Sequence, residues 1–171
     1  MRRPEPVEAA QYYFTYIDLV PEGDICARLR AQGSETLALC HAIGETQSLT
    51  RYAKDKWSIR EVLGHINDCE RLFVFRAMWF ARGFDAPLPS FDQHVAAAAA
   101  MSDAQSWAQH IEEFRSIRAA SVAFFEHLPP DAWDRRGIAS DNPFTVRALA
   151  FMTVGHVIHH LRILRERYLS S

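Results

Sequence analysis

Apolar residues recur at intervals of three and four along most of the chain, a spacing that places them on one face of an α-helix. This periodicity predicts four long helices, at about 24–43, 58–82, 102–128 and 145–168. No segment alternates apolar and polar residues between turn signals, so no strand is predicted. At 171 residues the chain is long enough for one well-buried domain and short for two. The pattern therefore predicts an all-α helical bundle in a single domain, residues 1–171.

Capping signals indicate where these helices begin. Asp24 is a favourable N-cap residue and marks the start of the first helix. Ser58 and Glu61 have the spacing of a capping box, in which each side chain bonds the backbone N–H of the other residue. Ser102 and Gln105 have the same spacing, which predicts that the third helix begins at Ser102.

The links between the helices, at about 44–57, 83–101 and 129–143, are longer than antiparallel neighbours in a bundle require. The middle link is interpreted as a crossover that covers one end of the bundle. Its alanine run, 96–100, predicts a short helical turn that leads into the third helix. Because long loops of this kind often carry substrate contacts, this crossover is a candidate for part of a binding site.

Overall composition narrows the classes of function. The formal net charge is -2 and the chain has no run of Lys or Arg, so a nucleic-acid-binding surface is not expected. The longest apolar run, around 144–156, contains the charged Arg147 and is too short to span a bilayer. The first six residues lack the apolar core of a signal peptide. We therefore expect a cytoplasmic protein without nucleic-acid or membrane partners.

Candidate chemistry lies in the fourth predicted helix. His156 and His160 are four residues apart, so they stack one turn above the other on the same helix face. Two imidazoles so placed can chelate one metal ion, which then needs a third ligand, and His65 in the second helix is the obvious candidate. His160 falls on the inward apolar stripe and His156 on its flank. Spacing alone leaves open the alternative that these are core histidines satisfied by hydrogen bonds.

The remaining histidines have less specific settings. His159 could replace His160 as a ligand, but at about 100° per residue it points away from the inward stripe. It is therefore interpreted as a polar residue beside the site. The others, which fall in surface-like or loop contexts, are His41, His94, His110 and His127. Among these, His94 lies on the crossover, which could bring it over the site.

The cysteines are odd in number and lack Cys-x-x-Cys spacing; they are Cys26, Cys40 and Cys69. Each lies in an apolar helical context, and the simplest interpretation is a reduced, buried thiol that acts as a small hydrophobe. Cys69 lies four residues after His65, so its thiolate could join a metal site there.

Longer stretches of the chain resemble one known family. The second-helix motif includes Trp57-Ser58-Ile59-Arg60-Glu61 and His65, and the fourth-helix motif is Gly155-His156-Val157-Ile158-His159-His160. The stretches that carry the likeness, in order, are 52–66, 68–73, 81–83, 87–93, 146–149, 155–160 and 165–168. Together they resemble the DinB-like (DNA-damage-inducible, YfiT-related) superfamily of metal-binding four-helix bundles.

The resemblance implies a four-helix bundle with up-down-down-up connectivity, in which the long crossover joins helices two and three. It also implies that His65, His156 and His160 are the metal ligands. Proteins of this family commonly form homodimers, and the aromatic residues near the N-terminus could serve such an interface or cap the core of their own bundle; they are Tyr12, Tyr13, Phe14 and Tyr16.

Two classes of function follow from a three-histidine site. Such a site keeps coordination positions open, as catalysis needs. One hypothesis is therefore a divalent-metal-dependent hydrolase or transferase for a small-molecule substrate. The resemblance implies thiol chemistry with a low-molecular-weight thiol. The other hypothesis is a non-catalytic metal-binding stress-response or scaffold protein, because no acid–base residue or protein nucleophile can be assigned. Imidazole suits zinc, nickel, iron and copper alike.

A carboxylate beside the site has two possible uses. Asp68, three residues after His65, could orient an imidazole ligand. It could equally form a salt bridge with Arg71, three residues further along the same helix.

Overall fold

The computed structural model describes residues 1–169, most of them helical. Its α-helices are α1 (Phe14–Ile17), α2 (Ile25–His41), α3 (Ile59–Ala81), α4 (Gln93–Ala100), α5 (Trp107–Glu126) and α6 (Val146–Ile163). A π-helical turn, Leu164–Tyr168, continues α6, and 3-10 turns lie at Gln11–Tyr13, Gln47–Leu49, Ser102–Ala104 and Pro130–Asp134. Two short strands are β1 (Arg136–Ala139) and β2 (Asn142–Thr145). The all-α prediction is confirmed, with a small sheet added.

Two of the long helices begin where their caps predict, and α6 begins at the predicted position near residue 145. Asp24 accepts a hydrogen bond from the backbone N–H of Ala27 (3.0 Å) at the start of α2. Ser58 and Glu61 form the full capping box of α3. Thr145 accepts from a backbone N–H in the first turn of α6. Each of these contacts satisfies a backbone donor that the helix itself leaves free.

The prediction that the third long helix begins at Ser102 is wrong. The capping box lies one turn later, at Ser106 and Gln109, and α5 begins at Trp107. Ser102 is buried, and its hydroxyl would lie only 2.6 Å from a Cβ placed on Gly64 of α3. Because the Ser-x-x-Gln pattern occurs twice in succession, the tertiary contact of Ser102 with α3 decides which copy caps the helix.

The absence of strands was also predicted wrongly. β1 and β2 pair antiparallel, with Arg136 opposite Thr145. Ser140 and Asp141 form the two-residue turn with φ of 50° and 59°, as a type I′ hairpin requires at both central positions. Strands of four residues are too short to display a clear alternation, and Ser-Asp is not among the strongest hairpin signals.

The four long helices are arranged so that α3 packs against both α5 and α6, and α2 packs against the same two helices. The crossover between α3 and α5 contains α4, which packs on α3; the predicted helical turn is therefore confirmed. Near the N-terminus, α1 packs against α6. No helix within residues 1–169 is long and apolar enough to cross a membrane.

The apolar core is divided into two clusters. One includes Phe73 on α3 and Leu149 on α6, and the other includes Leu63 on α3 and Leu161 on α6. Between them lie buried polar side chains from all four long helices, which we call the polar layer: Gln32, His65, Glu70, Arg118 and His156. Burial of polar groups is unfavourable without partners, so the contacts within this layer point to its role.

Candidate metal centre

Nitrogen atoms of three histidines converge where α3 faces α6. Nε2 of His65, on α3, lies 3.0 Å from Nε2 of His156, on α6. Nε2 of His160, one turn further along α6, lies 3.1 Å from the same atom. The ring centroids of His65 and His160 are 4.9 Å apart. The structure thus brings together the three side chains that the sequence predicted as ligands.

The burial of the two α6 histidines is the reverse of the expectation that His160 lies on the inward stripe and His156 on its flank. His156 is buried, with 3% of its surface exposed, whereas His160 is only partly buried. The flank of α6 that carries His156 is covered by α1. Gly155 permits this close approach, because a Cβ at that position would lie 2.1 Å from the backbone oxygen of Tyr16. The N-terminal segment therefore buries a helix face that the periodicity of α6 alone places at the edge of the core.

Aromatic rings enclose the histidines. Tyr16 and Phe73 meet the His156 ring edge-on, with centroids 5.3 and 5.6 Å away. Trp57 lies against His65, with the centroids 4.9 Å apart. Such apolar walls lower the local dielectric and exclude water from the imidazoles.

This enclosure lowers the pKa of all three imidazoles. Burial is the main cause, and each ring also faces the positive charge that a neighbouring protonated imidazole would carry. The pKa falls to about 4 for His65 and about 3 for His160, and that of His156 also lies well below its usual value. At neutral pH the rings are therefore uncharged, the state in which imidazole binds a metal.

The donor set fits a metal ion better than it fits hydrogen bonds. A neutral imidazole Nε2 either donates one hydrogen bond or accepts one, so Nε2 of His156 is unable to make a good bond to both neighbours. A cation bound to the lone pairs of all three nitrogens removes this conflict. Zn–N bonds of about 2.0–2.1 Å in a tetrahedral site place the nitrogens about 3.3 Å apart, close to the separations seen.

Cys69 adds a fourth possible ligand. Its Sγ lies 3.7 Å from Nε2 and 3.6 Å from Nδ1 of His65. The possible ligand atoms of His65, Cys69 and His156 lie within 4.8 Å of one another. Burial raises the pKa of the free thiol to about 12, so Cys69 is protonated unless a metal binds it. Its i,i+4 spacing from His65 was the sequence signal for this contact.

Two further histidines lie beside the centre. The ring of His159 packs against Tyr16 (5.4 Å) and His160 (5.1 Å) but does not join the three converging nitrogens. His94, at the start of α4, lies 6.0 Å from the ring of Trp57 and contributes to the lowered pKa of His65. The crossover therefore does bring His94 towards the site.

The other histidines have ordinary roles. His41 is exposed, and exposed His127 contacts the backbone oxygen of Ala123. The surface-like context predicted for His110 is wrong, because this residue is 1% exposed and its Nε2 bonds the backbone oxygen of Ser102 (2.9 Å). It thereby fixes the turn that precedes α5.

Carboxylates near the histidines serve as partners for arginines. Asp68 pairs with Arg71 at 3.5 Å, which is the second of the two predicted uses. Glu70 is buried and bonds Arg118 through both carboxylate oxygens, at 2.8 and 2.7 Å. Neither contact orients a histidine.

A cavity of about 440 Å³ reaches the candidate metal centre at His156, and we call it the site cavity. Its wall includes Cys69 and His156, and Arg76 on α3 also lines it. The remaining lining residues are Tyr12, Tyr13, Tyr16, Leu72, Phe73, Ser90, Phe91, Asp92, Gln93 and Ser140. The volume suits a small molecule. Sequence reasoning missed Arg76, although its spacing of eleven residues from His65 places both on one helix face.

Residues 28–164 match the family model of the DinB superfamily. The chain belongs to the DinB superfamily. The match covers α3 and α6 and therefore all three converging histidines. No curated protein matches the chain in sequence.

A solved structure of similar fold is that of YfiT from Bacillus subtilis, described as a probable metal-dependent hydrolase with an unusual four-helix bundle topology. It superposes with a TM-score of 0.67 over 96% of this chain and 90% of that chain, at 16% sequence identity. At this identity the likeness establishes the fold.

Proposed function

We propose that this protein is a divalent-metal-dependent enzyme that acts on a small molecule in the site cavity, with His65, His156 and His160 as the metal ligands. The observation that carries the proposal is the convergence of three neutral imidazoles, of which His156 also lines the site cavity. The description of YfiT as a probable metal-dependent hydrolase supports hydrolysis as the reaction. Imidazole ligands are compatible with zinc, nickel, iron and copper.

A metal held by three histidines supplies a Lewis acid and lowers the pKa of a bound water towards about 7. The protein contributes the surroundings. Phe73 and Tyr16 pack on His156 and hold its ring in place, and Trp57 does the same for His65. Their rings also keep water from the rear of the site, which strengthens electrostatic interactions inside it.

The metal content tests the ligand set. Protein purified without a histidine tag is compared by elemental analysis with His65→Ala, His156→Ala and His160→Ala. We expect near-stoichiometric metal in the wild type and its loss in each variant. His159→Ala is the matched control, because it is adjacent to His160 on α6 and lies outside the convergence. Wild-type protein that takes up no metal, or equal metal in His160→Ala and His159→Ala, would contradict the proposal.

Cys69 favours a second candidate, a non-catalytic metal-binding protein. Four protein ligands close a site, and closed sites are typical of structural zinc. Cys69→Ser separates the two candidates. An open three-histidine site keeps its metal and its activity in this variant, whereas a closed site loses affinity for the metal. Cys40→Ser is the control, since Cys40 is buried in the other apolar cluster.

Thiol transfer is the finer form of the enzyme proposal, and the sequence resemblance supports it. A cobalt-substituted sample would be titrated with glutathione and, separately, assayed for hydrolysis of p-nitrophenyl acetate. A change in the ligand-field spectrum with the thiol supports thiol binding at the metal. Hydrolysis with an unchanged spectrum instead supports a hydrolase with metal-bound water.

Connectivity, assembly and compartment belong to the same proposal. The crossover that contains α4 supports up-down-down-up connectivity. We propose a cytoplasmic homodimer. Tyr12 is 62% exposed and available for an interface, while Tyr13 and Phe14 pack on the core of their own chain. Sedimentation of the wild type and Tyr12→Ser tests this role.

A further inference from the structure

Arg76 is a buried cation without a carboxylate partner. Only 2% of its surface is exposed. Its Nη2 donates to the backbone oxygen of Pro89 (3.1 Å) and to the hydroxyl of Ser140 (2.9 Å), both neutral acceptors. Its Nε is buried and has no hydrogen-bond partner among residues 1–169. A buried charge is expected to be paired, so this guanidinium lacks a counter-ion.

The other buried arginines of the described chain each have one. Arg118 pairs with Glu70 at 2.7 Å, and Arg147 pairs with Glu8 at 2.7 Å. Arg60 pairs with Glu45 at 2.5 Å. Arg76 is the exception, and it is also the arginine that lines the site cavity.

Arg76 lies on the same face of α3 as His65 and Cys69. Eleven residues correspond to about three helical turns and a rise of about 16 Å, and side chains on a helix lean towards its N-terminus. Arg76 therefore leans back along the cavity towards the histidines. The cavity wall includes Arg76, Cys69 and His156, so one small molecule in the cavity can contact both Arg76 and His156.

The rest of the lining is compatible with an anion at Arg76. The one carboxylate in the lining is that of Asp92, which is exposed and accepts hydrogen bonds from the backbone N–H groups of His94 (2.8 Å) and Val95 (3.2 Å) at the start of α4. Tyr13 offers a hydroxyl beside Arg76. This hydroxyl can donate to an oxyanion bound at Arg76.

We propose that Arg76 binds an anionic oxygen group, a carboxylate or a phosphate, of the small molecule that occupies the site cavity. The anion supplies the missing counter-ion, and its position on α3 directs the rest of the molecule towards His65 and His156. This inference rests on the proposed function for the identity of the molecule as a substrate. Binding of the anion itself does not require a metal.

The test uses three probes of similar size: 3-phenylpropanoate, phenyl phosphate and neutral 3-phenylpropanamide. Calorimetric titrations are run on metal-free and metal-loaded wild-type protein. We expect an anionic probe to bind in both states. The amide should bind more weakly by a factor of about ten or more, because it loses a charge-assisted hydrogen bond. The tighter anion identifies the class of group. Equal binding of acid and amide would overturn the proposal.

Variants locate the binding. Arg76→Gln should weaken the affinity for the anion by about tenfold or more, and Arg76→Lys should restore part of this affinity. Arg71→Gln, on the exposed face of α3, should bind the anion as tightly as the wild type does. Unchanged affinity in Arg76→Gln, or anion binding only when metal is present, would refute a role for Arg76. Metal content in Arg76→Gln should equal that of the wild type. A protein that binds no metal but binds the anion through Arg76 refutes the proposed function alone.

Discussion

The two sides of the polar layer differ in whether their polar side chains find hydrogen-bond partners within the chain. On the side formed by α2, α3 and α5, Arg118 donates to Glu70, to the side chain of Gln32 (2.9 Å) and to the backbone oxygen of Leu29 (3.0 Å). Gln32 in turn donates to the backbone of α6 (2.8 Å). On the side formed by α3 and α6, His65, His156 and His160 turn their nitrogens towards one another.

This difference separates a structural network from a binding site. The Arg118–Glu70 network is complete within the chain and leaves nothing for a ligand to satisfy. On the histidine side, Nε2 of His156 faces two other nitrogens and can make a good hydrogen bond to only one of them. The nearby Arg76 has no carboxylate partner among residues 1–169. Both deficits face the same cavity. Completeness of the internal contacts, and not burial or polarity, therefore distinguishes the two sides.

The largest expected effect is on the complete side. Glu70→Gln leaves the charge of Arg118 buried without a partner, and we expect the free energy of unfolding to fall by about 3–5 kcal/mol. Denaturant unfolding measures it. Glu112→Gln is the control, because Glu112 pairs with Arg115 on the surface and should change stability by less than about 0.5 kcal/mol. Equal effects of the two variants would show that the network is not structural.

Gly155→Ala should be the next most damaging change, because it forces α1 away from the histidine side. The new Cβ would overlap backbone atoms of Tyr16, which are unable to rotate away as a side chain can. We expect a loss of about 1–3 kcal/mol in denaturant unfolding, reduced by the better helix propensity of alanine. Gly44→Ala, where nothing lies within 4 Å, should be neutral or slightly stabilising. A neutral Gly155→Ala would mean that α1 is not held against α6.

Acid should destabilise the metal-free protein through the histidine side. The pKa of His156 is lower in the folded state than the ordinary 6.5. Below pH 6.5 the unfolded chain therefore takes up a proton that the folded chain does not. The contribution of this residue is unchanged above pH 6.5 and falls as the pH drops below it. At pH 5.5 we expect a loss on the order of 1 kcal/mol from this one imidazole.

His156→Leu isolates that contribution. Between pH 7.5 and 5.5, the free energy of unfolding of the metal-free variant should fall by on the order of 1 kcal/mol less than that of the metal-free wild type. In the control His127→Leu, at an exposed position, the free energy of unfolding should fall over this pH range as much as it does in the wild type. The same pH dependence in wild type and His156→Leu would show that His156 accepts a proton in the folded protein.

The smallest effect is expected at the carboxylate nearest to the site in sequence. Asp68 pairs with Arg71 at the surface, so Asp68→Asn should change the free energy of unfolding by less than about 1 kcal/mol. Metal content should also be unchanged. A large loss of metal in Asp68→Asn would instead place this carboxylate among the groups that orient a histidine.

Local signals in the sequence were sufficient for much of the fold and for the histidine pair of α6. The α3 capping box needs only Ser58 and Glu61, and the pairing of His156 with His160 needs only the helical repeat. The convergence of His65 with that pair is a long-range contact. His65 was a candidate because it lies in a second apolar helix, and the family resemblance strengthened this prediction; residues 91 positions apart have no spacing rule.

The errors arose where a tertiary contact overrules a local pattern. The Ser-x-x-Gln pattern is present twice, and packing of Ser102 against α3 selects the second copy. The relative depth of His156 and His160 depends on α1, a four-residue helix whose position on α6 is permitted by Gly155. Neither effect is encoded in the periodicity of the segment concerned.

The chain alone therefore determined the helices, their caps and the presence of a histidine pair, since each depends on neighbours within a few residues. The tertiary structure decided which polar residues are satisfied. Arg118 and Arg76 are indistinguishable as arginines in amphipathic helices, and only packing gives one of them Glu70 and leaves the other facing a cavity. Whether a buried polar group has a partner is a property of the assembled bundle, because the partner comes from another helix.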